Sequence, residues 1–547
     1  MRRVAAVVSA LAVTALVADA RQKPSVAKLK TTAEASGFKS TSTYDDVVRF
    51  MKAVDDASPV IFYTTYGTTH EGRAMPMAVV GTGLKDPSAA AVRATGKLRV
   101  HIQGNIHAGE VEGKESAQIL LREFALGQHK DWLQSTVFLI TPILNADGNE
   151  KFAVNNRQRQ NGPINGMGTR PNAQGLNINR DFMKLDTPEA RAFVKLWVDY
   201  DPHAGFDLHT SDGSFHGYYL TYSPPLNPNT SDAITTVMKG EWFPFVTRNI
   251  KTKHGWDTFY YGNVSTPGGR GRGRGGEPPS PPATPPAPQP TGPPEWRTFE
   301  HVPRFHNSYV GMRNRFALLS EAYAYATFED RIKATNYFME EALNFAHANA
   351  PRLKKLALDA DREKIAGRTL ATSARIKRGG MIEILMGEVE DETNPVSGAV
   401  MNRRKNVVKP QQMVDMLWFE AAATEVVPSA YYVPATATKA VELLKAHGIQ
   451  MREAALPGGT EEFAISANTA GQTFEGHTLR RLEGKWGVTS GGNPSGKYLE
   501  VRTDQPLGRL AFYLLEPTSD DGLVAWNFLD AELKDVATGP YPIVRRK

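Results

Sequence analysis

Ile102-Gln103-Gly104-Asn105-Ile106-His107-Ala108-Gly109-Glu110 is the stretch on which the fold reading turns. The apolar run Leu98–Gln103 predicts a strand, and the turn beyond it presents an imidazole and a carboxylate three residues apart. That spacing lets both side chains converge on one cation, and Gly109 relaxes the backbone between them. His-x-x-Glu alone is common. Glu110 would equally suit the start of the helix expected after it, where a carboxylate is favoured.

Working outward, Ala117, Leu120, Leu121 and Phe124 carry helical spacing over Val111–Leu126. Thr136–Leu144 and Gly205–His209 read as two further strands. Phe316-Ala317-Leu318-Leu319-Ser320 reads as another apolar strand, ending in Glu321. Pro188–Val198 predicts a helix with Thr187 as its N-cap and Pro188 at the first helical position. A helix is also expected around Tyr44–Val54. Short apolar runs alternating with amphipathic stretches, from residue 60 to near Asn349, indicate an α/β domain.

The whole chain has 547 residues, too many for one small core, so more than one region is expected. Its 41% hydrophobic and 22% charged residues are those of an ordinary globular protein. A net charge of +6 is small for this length and gives no case for a nucleic-acid partner. Arg2 and Arg3, the apolar run Val4–Val17 and the small-x-small site Ala18-Asp19-Ala20 read as a signal peptide over residues 1–20. The expected setting is therefore secreted or periplasmic. The run is too short to span a bilayer, and no later stretch is long and apolar enough. Cysteine is absent, which excludes disulfides, thiol nucleophiles and thiolate metal ligands, so any metal must be held by His, Asp and Glu.

Residues 21–360 are expected to form the first domain and residues 361–547 a C-terminal α+β or β-rich region. In that region strands are expected over Ile365–Ile376, Met381–Val389, Lys497–Arg502 and Leu507–Leu515, and a helix over Ala437–Ala446. The Gly/Arg/Pro-rich segment 265–296 reads as an insertion of flexible or polyproline character. Gly491–Lys497 fits a phosphate-loop spacing, but Tyr498 stands where Ser or Thr is required and no clear strand-to-helix setting surrounds it.

Two more positions carry chemistry. His209 closes the run Phe206-Asp207-Leu208-His209, with Asp207 two residues earlier on the same face of the strand. Glu321 ends its own strand, where α/β sheets place active groups. Two histidines, one carboxylate ligand and a separate glutamate are the components of a catalytic zinc site.

These residues and their order resemble the zinc metallocarboxypeptidase (funnelin, carboxypeptidase A-like) family. The most specific match is Arg170-Pro171-Asn172-Ala173-Gln174-Gly175-Leu176-Asn177-Ile178-Asn179-Arg180-Asp181-Phe182, and Asn145-Ala146-Asp147-Gly148 adds to it. The resemblance implies a mixed central sheet flanked by helices and one Zn2+ per chain held by His107, Glu110 and His209. It implies Arg170 at the oxyanion, Asn179 and Arg180 on the substrate's terminal carboxylate, and Glu321 as general base and acid. Tyr309 is the candidate for the tyrosine that closes over the substrate. Peptides or proteins with a free C-terminus are the implied substrates. Asn177 stands where the family has an aspartate that orients a zinc-binding histidine, and Thr169 replaces a glycine. A zinc amidase acting on cell-wall peptides or acylated amino acids, or a non-catalytic binding protein on this fold, are the alternative readings.

Overall fold

A computed structural model describes residues 26–265, 292–488 and 496–547. The expected signal peptide lies outside these residues. So do most of the Gly/Arg/Pro-rich segment and all but the end of the phosphate-loop-like run.

Eight strands make one sheet: β1 (Ile61–Thr68), β2 (Ala74–Val80), β3 (Leu98–Gly104), β4 (Thr136–Thr141), β5 (Ala204–Ser211), β6 (Leu220–Ser223), β7 (Thr258–Tyr260) and β8 (Phe316–Tyr323). Their order across the sheet is β1-β2-β4-β3-β5-β8-β6-β7. The centre, β4-β3-β5-β8, is parallel. Antiparallel pairs of β2 with β4 and of β6 with β8 make the sheet mixed. The four central strands are buried along their whole length; β4 and β8 read as near-continuous apolar runs, whereas β3 and β5 carry buried polar side chains at Arg99, His101, Gln103 and Asp207 between their apolar ones.

Helices cover both faces. On one, α1 (Tyr44–Ala57), α2 (Glu112–Ala125) and α5 (Phe328–Ala348) pack Phe50, Leu121 and Phe338 against Val100, Ile102 and Phe206. On the other lie α3 (Pro188–Tyr200) and α4 (His306–Met312), with Phe193, Trp197 and Tyr309 against Met77, Val79 and Leu139. Thr187 caps α3 as expected, its hydroxyl accepting from the Ala190 amide at 3.1 Å. The strand-to-helix contact is close at Gly205 of β5. A Cβ there would stand 2.7 Å from the Trp197 ring, so only glycine lets α3 seat on the sheet.

Register brings the chemistry together. β3 pairs with β5 so that Gln103 is opposite Asp207, and β5 pairs with β8 so that His209 is opposite Glu321. Parallel partners point to the same face, which puts both residues at the C-terminal ends of adjacent central strands.

The C-terminal region is β-rich, as expected. It contains a long ribbon, Met381–Thr393 with Val400–Met416, a shorter one, Thr369–Lys377 with Trp418–Val426, and a further sheet that includes Glu461–Phe474 and His477–Val488. The helix Thr438–Ala446 and the strand Tyr498–Arg502 fall where the sequence placed them. Leu507–Leu515 is the correction: Gly508–Leu515 is a helix, not a strand. It is buried all round, so its apolar run carries no period that distinguishes helix from strand.

This region is joined to the first rather than appended to it. Val400–Met416 pairs with Glu295–Arg297, which pairs in turn with Asn263–Ser265. The two ends of the expected 265–296 insertion are thus strand, with Trp296 fully buried. One continuous core runs from Met75 and Phe193 through Tyr431, Leu510 and Trp526 to Ile543.

Candidate metal centre

The turn after β3 is built to hold two side chains inward. Asn105 has φ +61°, and its amide Nδ2 donates to the carbonyls of Ala108 and Glu110 at 3.2 and 3.1 Å. Gly109 allows the close approach of the next loop, since a Cβ there would lie 2.7 Å from the Arg157 side chain. His107, Glu110 and His209 offer ligand atoms that all lie within 4.8 Å of one another, and all three residues are buried. Glu110 does not cap the following helix. Its Oε1 lies 3.0 Å from His107 Nδ1 and its Oε2 lies 2.8 Å from His209 Nδ1.

The outer nitrogen of each imidazole is also held. His209 Nε2 donates to Asp207 Oδ2 at 2.7 Å, and His107 Nε2 lies 3.0 Å from Asn177 Oδ1. Asp207 also accepts from Gln103 Nε2 at 3.1 Å, and His306 Nδ1 lies 3.4 Å away. Both rings therefore present Nδ1 inward, the second-layer arrangement that fixes tautomer and orientation at metal-binding histidines.

Electrostatics follow the same pattern. Burial, then the positive Arg170, keeps His107 well below the ordinary imidazole range, so it is neutral and able to ligate. Burial would raise the Glu110 carboxyl, but His107, Arg157 and His209 hold it well below the usual carboxylate range. Burial would lower His209, but Asp207 and Glu110 outweigh it and raise the imidazole. Burial pushes His306 down to about 4, which makes it a neutral neighbour of Asp207. Two imidazoles, one ionised carboxylate and no thiolate in the chain form a donor set that fits zinc with a coordination position to spare.

Most of the other expected residues stand near this group. Glu321 is fully buried on β8, in register beside His209. Arg170 Nη1 lies 3.5 Å from Glu110 Oε1, and its backbone carbonyl accepts from Asn145 Nδ2 at 3.3 Å, so the Asn145–Gly148 turn locates it. Arg180 lies partly exposed, its guanidinium 3.8 Å over the Phe305 ring and Nη1 donating to the Asn179 carbonyl. Asn179 itself is fully buried, between His209 Nε2 at 3.5 Å and the His306 amide at 2.9 Å. Its place supports the histidine wall more than a direct grip on substrate.

Tyr309 is not brought to the centre. It is fully buried on α4, its hydroxyl shared with His447 Nδ1 at 2.9 Å and Arg313 Nη1 at 3.1 Å. That is a packing role between the two regions, and the expected substrate cover is not supported there.

Arg157 was not legible in the sequence. It donates to Glu110 Oε1 at 2.9 Å and to the Thr210 carbonyl at 3.2 Å, a half-buried cation against the ligand carboxylate. Its surroundings, Asn155-Asn156-Arg157-Gln158-Arg159-Gln160, are polar throughout and give no period that marks one arginine as inward.

Comparison with known proteins agrees with the motifs. Residues 47–239 match the family model for zinc carboxypeptidase. Carboxypeptidase 2 of Trichophyton rubrum is 27% identical over 168 residues, covering 29% of this chain and 27% of that protein. Carboxypeptidase 2 of Trichophyton tonsurans is 28% identical over 148 residues, 26% of this chain and 23% of that protein. The chain thus matches about a quarter of the length of these relatives. Among solved structures, a metallo-carboxypeptidase from Burkholderia cenocepacia aligns with a TM-score of 0.39 and 17% identity, over 56% of this chain and 70% of that one. The family resemblance read from the motifs is borne out over residues 47–239.

Proposed function

We propose that this chain, whose residues 47–239 match the zinc carboxypeptidase family model, removes residues from the C-terminus of peptides by zinc-dependent hydrolysis. The observation that carries the reading is the convergence of His107, Glu110 and His209 with Glu321 in register beside them. The basic-then-apolar opening of residues 2–20 supports an exported enzyme.

A zinc ion held by these three ligands would lower the pKa of water to about 7. Glu321 takes the proton of the attacking water and delivers it to the leaving amine, and its burial beside His209 keeps that transfer away from bulk solvent. Arg170, at the edge of the ligand carboxylate, is the cation for the oxygen that gains charge as the carbonyl is attacked. Arg180, stacked on Phe305, is the planar donor suited to a terminal carboxylate. Gripping the terminus selects chain ends over internal bonds.

The test compares one peptide with a free and with an amidated C-terminus. The free form is to be shortened stepwise while the amidated form is left intact. Arg180→Ala is to lower kcat/KM on the free form by about 10- to 100-fold, the worth of one charge-assisted hydrogen bond. Equal cleavage of both forms, or an unaffected Arg180→Ala, refutes the terminal grip and favours the amidase alternative.

A further inference from the structure

The hairpin formed by Glu461–Phe474 and His477–Val488 belongs to the C-terminal region, yet its tip lies against the turn that carries Asn177, Asn179 and Arg180. Glu475 Oε2 accepts from the Asn177 amide at 2.9 Å. Asn177 Oδ1 in turn lies 3.0 Å from Nε2 of the ligand His107 and accepts from the Asn179 amide at 3.0 Å. A chain of two hydrogen bonds therefore runs from residue 475 to the metal-binding imidazole. We propose that Glu475 is a positioning residue of the metal centre, through which the C-terminal region completes the second layer around His107.

Three features of the structure support this. Glu475 has φ +47° and Gly476 φ +82°, a tight hairpin turn that favours Asn-Gly over Glu-Gly. A glutamate in the left-handed region carries a backbone cost that persists only where surrounding contacts fix the conformation. The tip is pinned on either side of Glu475. His477 Nε2 lies 2.8 Å from Asp186 Oδ2, and the Phe474 ring lies 5.5 Å under the Arg304 guanidinium. Arg304 is locked by Asp521, which accepts from its amide at 2.7 Å, and the Arg304 carbonyl accepts from Phe182 next to the same turn. This inference rests on the zinc reading of His107, Glu110 and His209, but not on the substrate.

The experiment measures zinc affinity of the full-length protein by competition with a chromophoric chelator, together with the melting temperature of the metal-free form. Glu475→Ala is to weaken zinc binding by about 10-fold, the lower end of what loss of an outer-layer partner costs. Its metal-free melting temperature is to be unchanged. Glu475→Gln keeps an acceptor oxygen and is to recover most of that loss. In an Asn177→Ala background the effect of Glu475→Ala is to vanish, because the link to His107 is already cut. Zinc affinity equal to wild type in Glu475→Ala, or losses that simply add in the double variant, overturns the proposal. A protein that binds zinc with this pattern but trims no peptide refutes the carboxypeptidase reading and leaves this inference standing. A protein that binds no zinc overturns both.

Discussion

Asp207→Asn isolates one charge at the centre without altering its shape. The carboxylate is fully buried, accepting from His209 at 2.7 Å and from Gln103 at 3.1 Å. An asparagine can offer its oxygen to His209 Nε2 and turn its amide toward Gln103. Gln103 can answer by flipping, because its Oε1 has no hydrogen-bond partner among the described residues. The fold is therefore kept, and what is lost is the charge on the hydrogen bond. A hydrogen bond to a charged group is worth about 1.5–3 kcal/mol against about 1 for a neutral one. The difference of about 0.5–2 kcal/mol corresponds to a loss of roughly 2- to 30-fold in zinc affinity. Low exposure on both sides keeps solvent from screening the effect, so the upper half of that range is expected, about 10- to 30-fold. Chelator competition at neutral pH, with metal-free melting as the control for folding, reads it directly. An affinity within about twofold of wild type, with metal-free melting unchanged, would refute the claim that Asp207 tunes His209 as a ligand.

Two other perturbations test the frame. Gly205→Ala places a methyl 2.7 Å from the Trp197 ring and is to destabilise the protein by about 1–3 kcal/mol in chemical denaturation; a neutral result would show that α3 is not seated as described. His477→Asn tests the pin at the hairpin tip through pH. The Asp186 hydrogen bond outweighs burial and raises the His477 imidazole above its ordinary value. Its stabilisation is therefore fully present below the unfolded value of about 6.5 and is lost as pH rises through the folded pKa. The variant is to be less stable than wild type in mildly acid solution and to converge with it in alkaline solution. The opposite trend would refute the pair.

The elements that build the centre were legible because their sequence signals are local. Four strand-like runs end at or near the residues carrying the chemistry, because α/β sheets place active groups at the C-terminal ends of their strands. His107, Glu110, His209 and Glu321 could therefore be named and ordered before any geometry was known. What escaped depends on contacts between distant segments. Arg157 and Glu475 sit in polar loops whose composition is that of any surface turn, and only tertiary packing turns them inward. Tyr309 was named from the family resemblance, whereas α4 directs it into the interface with His447. Gly508–Leu515 was mistaken for a strand because a helix buried on every side has no polar face to reveal its period. The sequence carries no local signal that residues of the C-terminal region share a core with those before residue 361, or that the C-terminal region reaches the ligand His107 through residue 177.

The most direct test of the central claim is zinc content measured alongside C-terminal trimming, on wild type, His209→Ala and Glu321→Gln. Wild type is to hold one zinc per chain and to shorten free-ended peptides residue by residue. His209→Ala is to lose both zinc and trimming. Glu321→Gln is to keep the zinc and lose about 10²- to 10⁴-fold in kcat. Trimming that survives in Glu321→Gln with zinc bound, or a wild-type protein that takes up no zinc, would contradict the account.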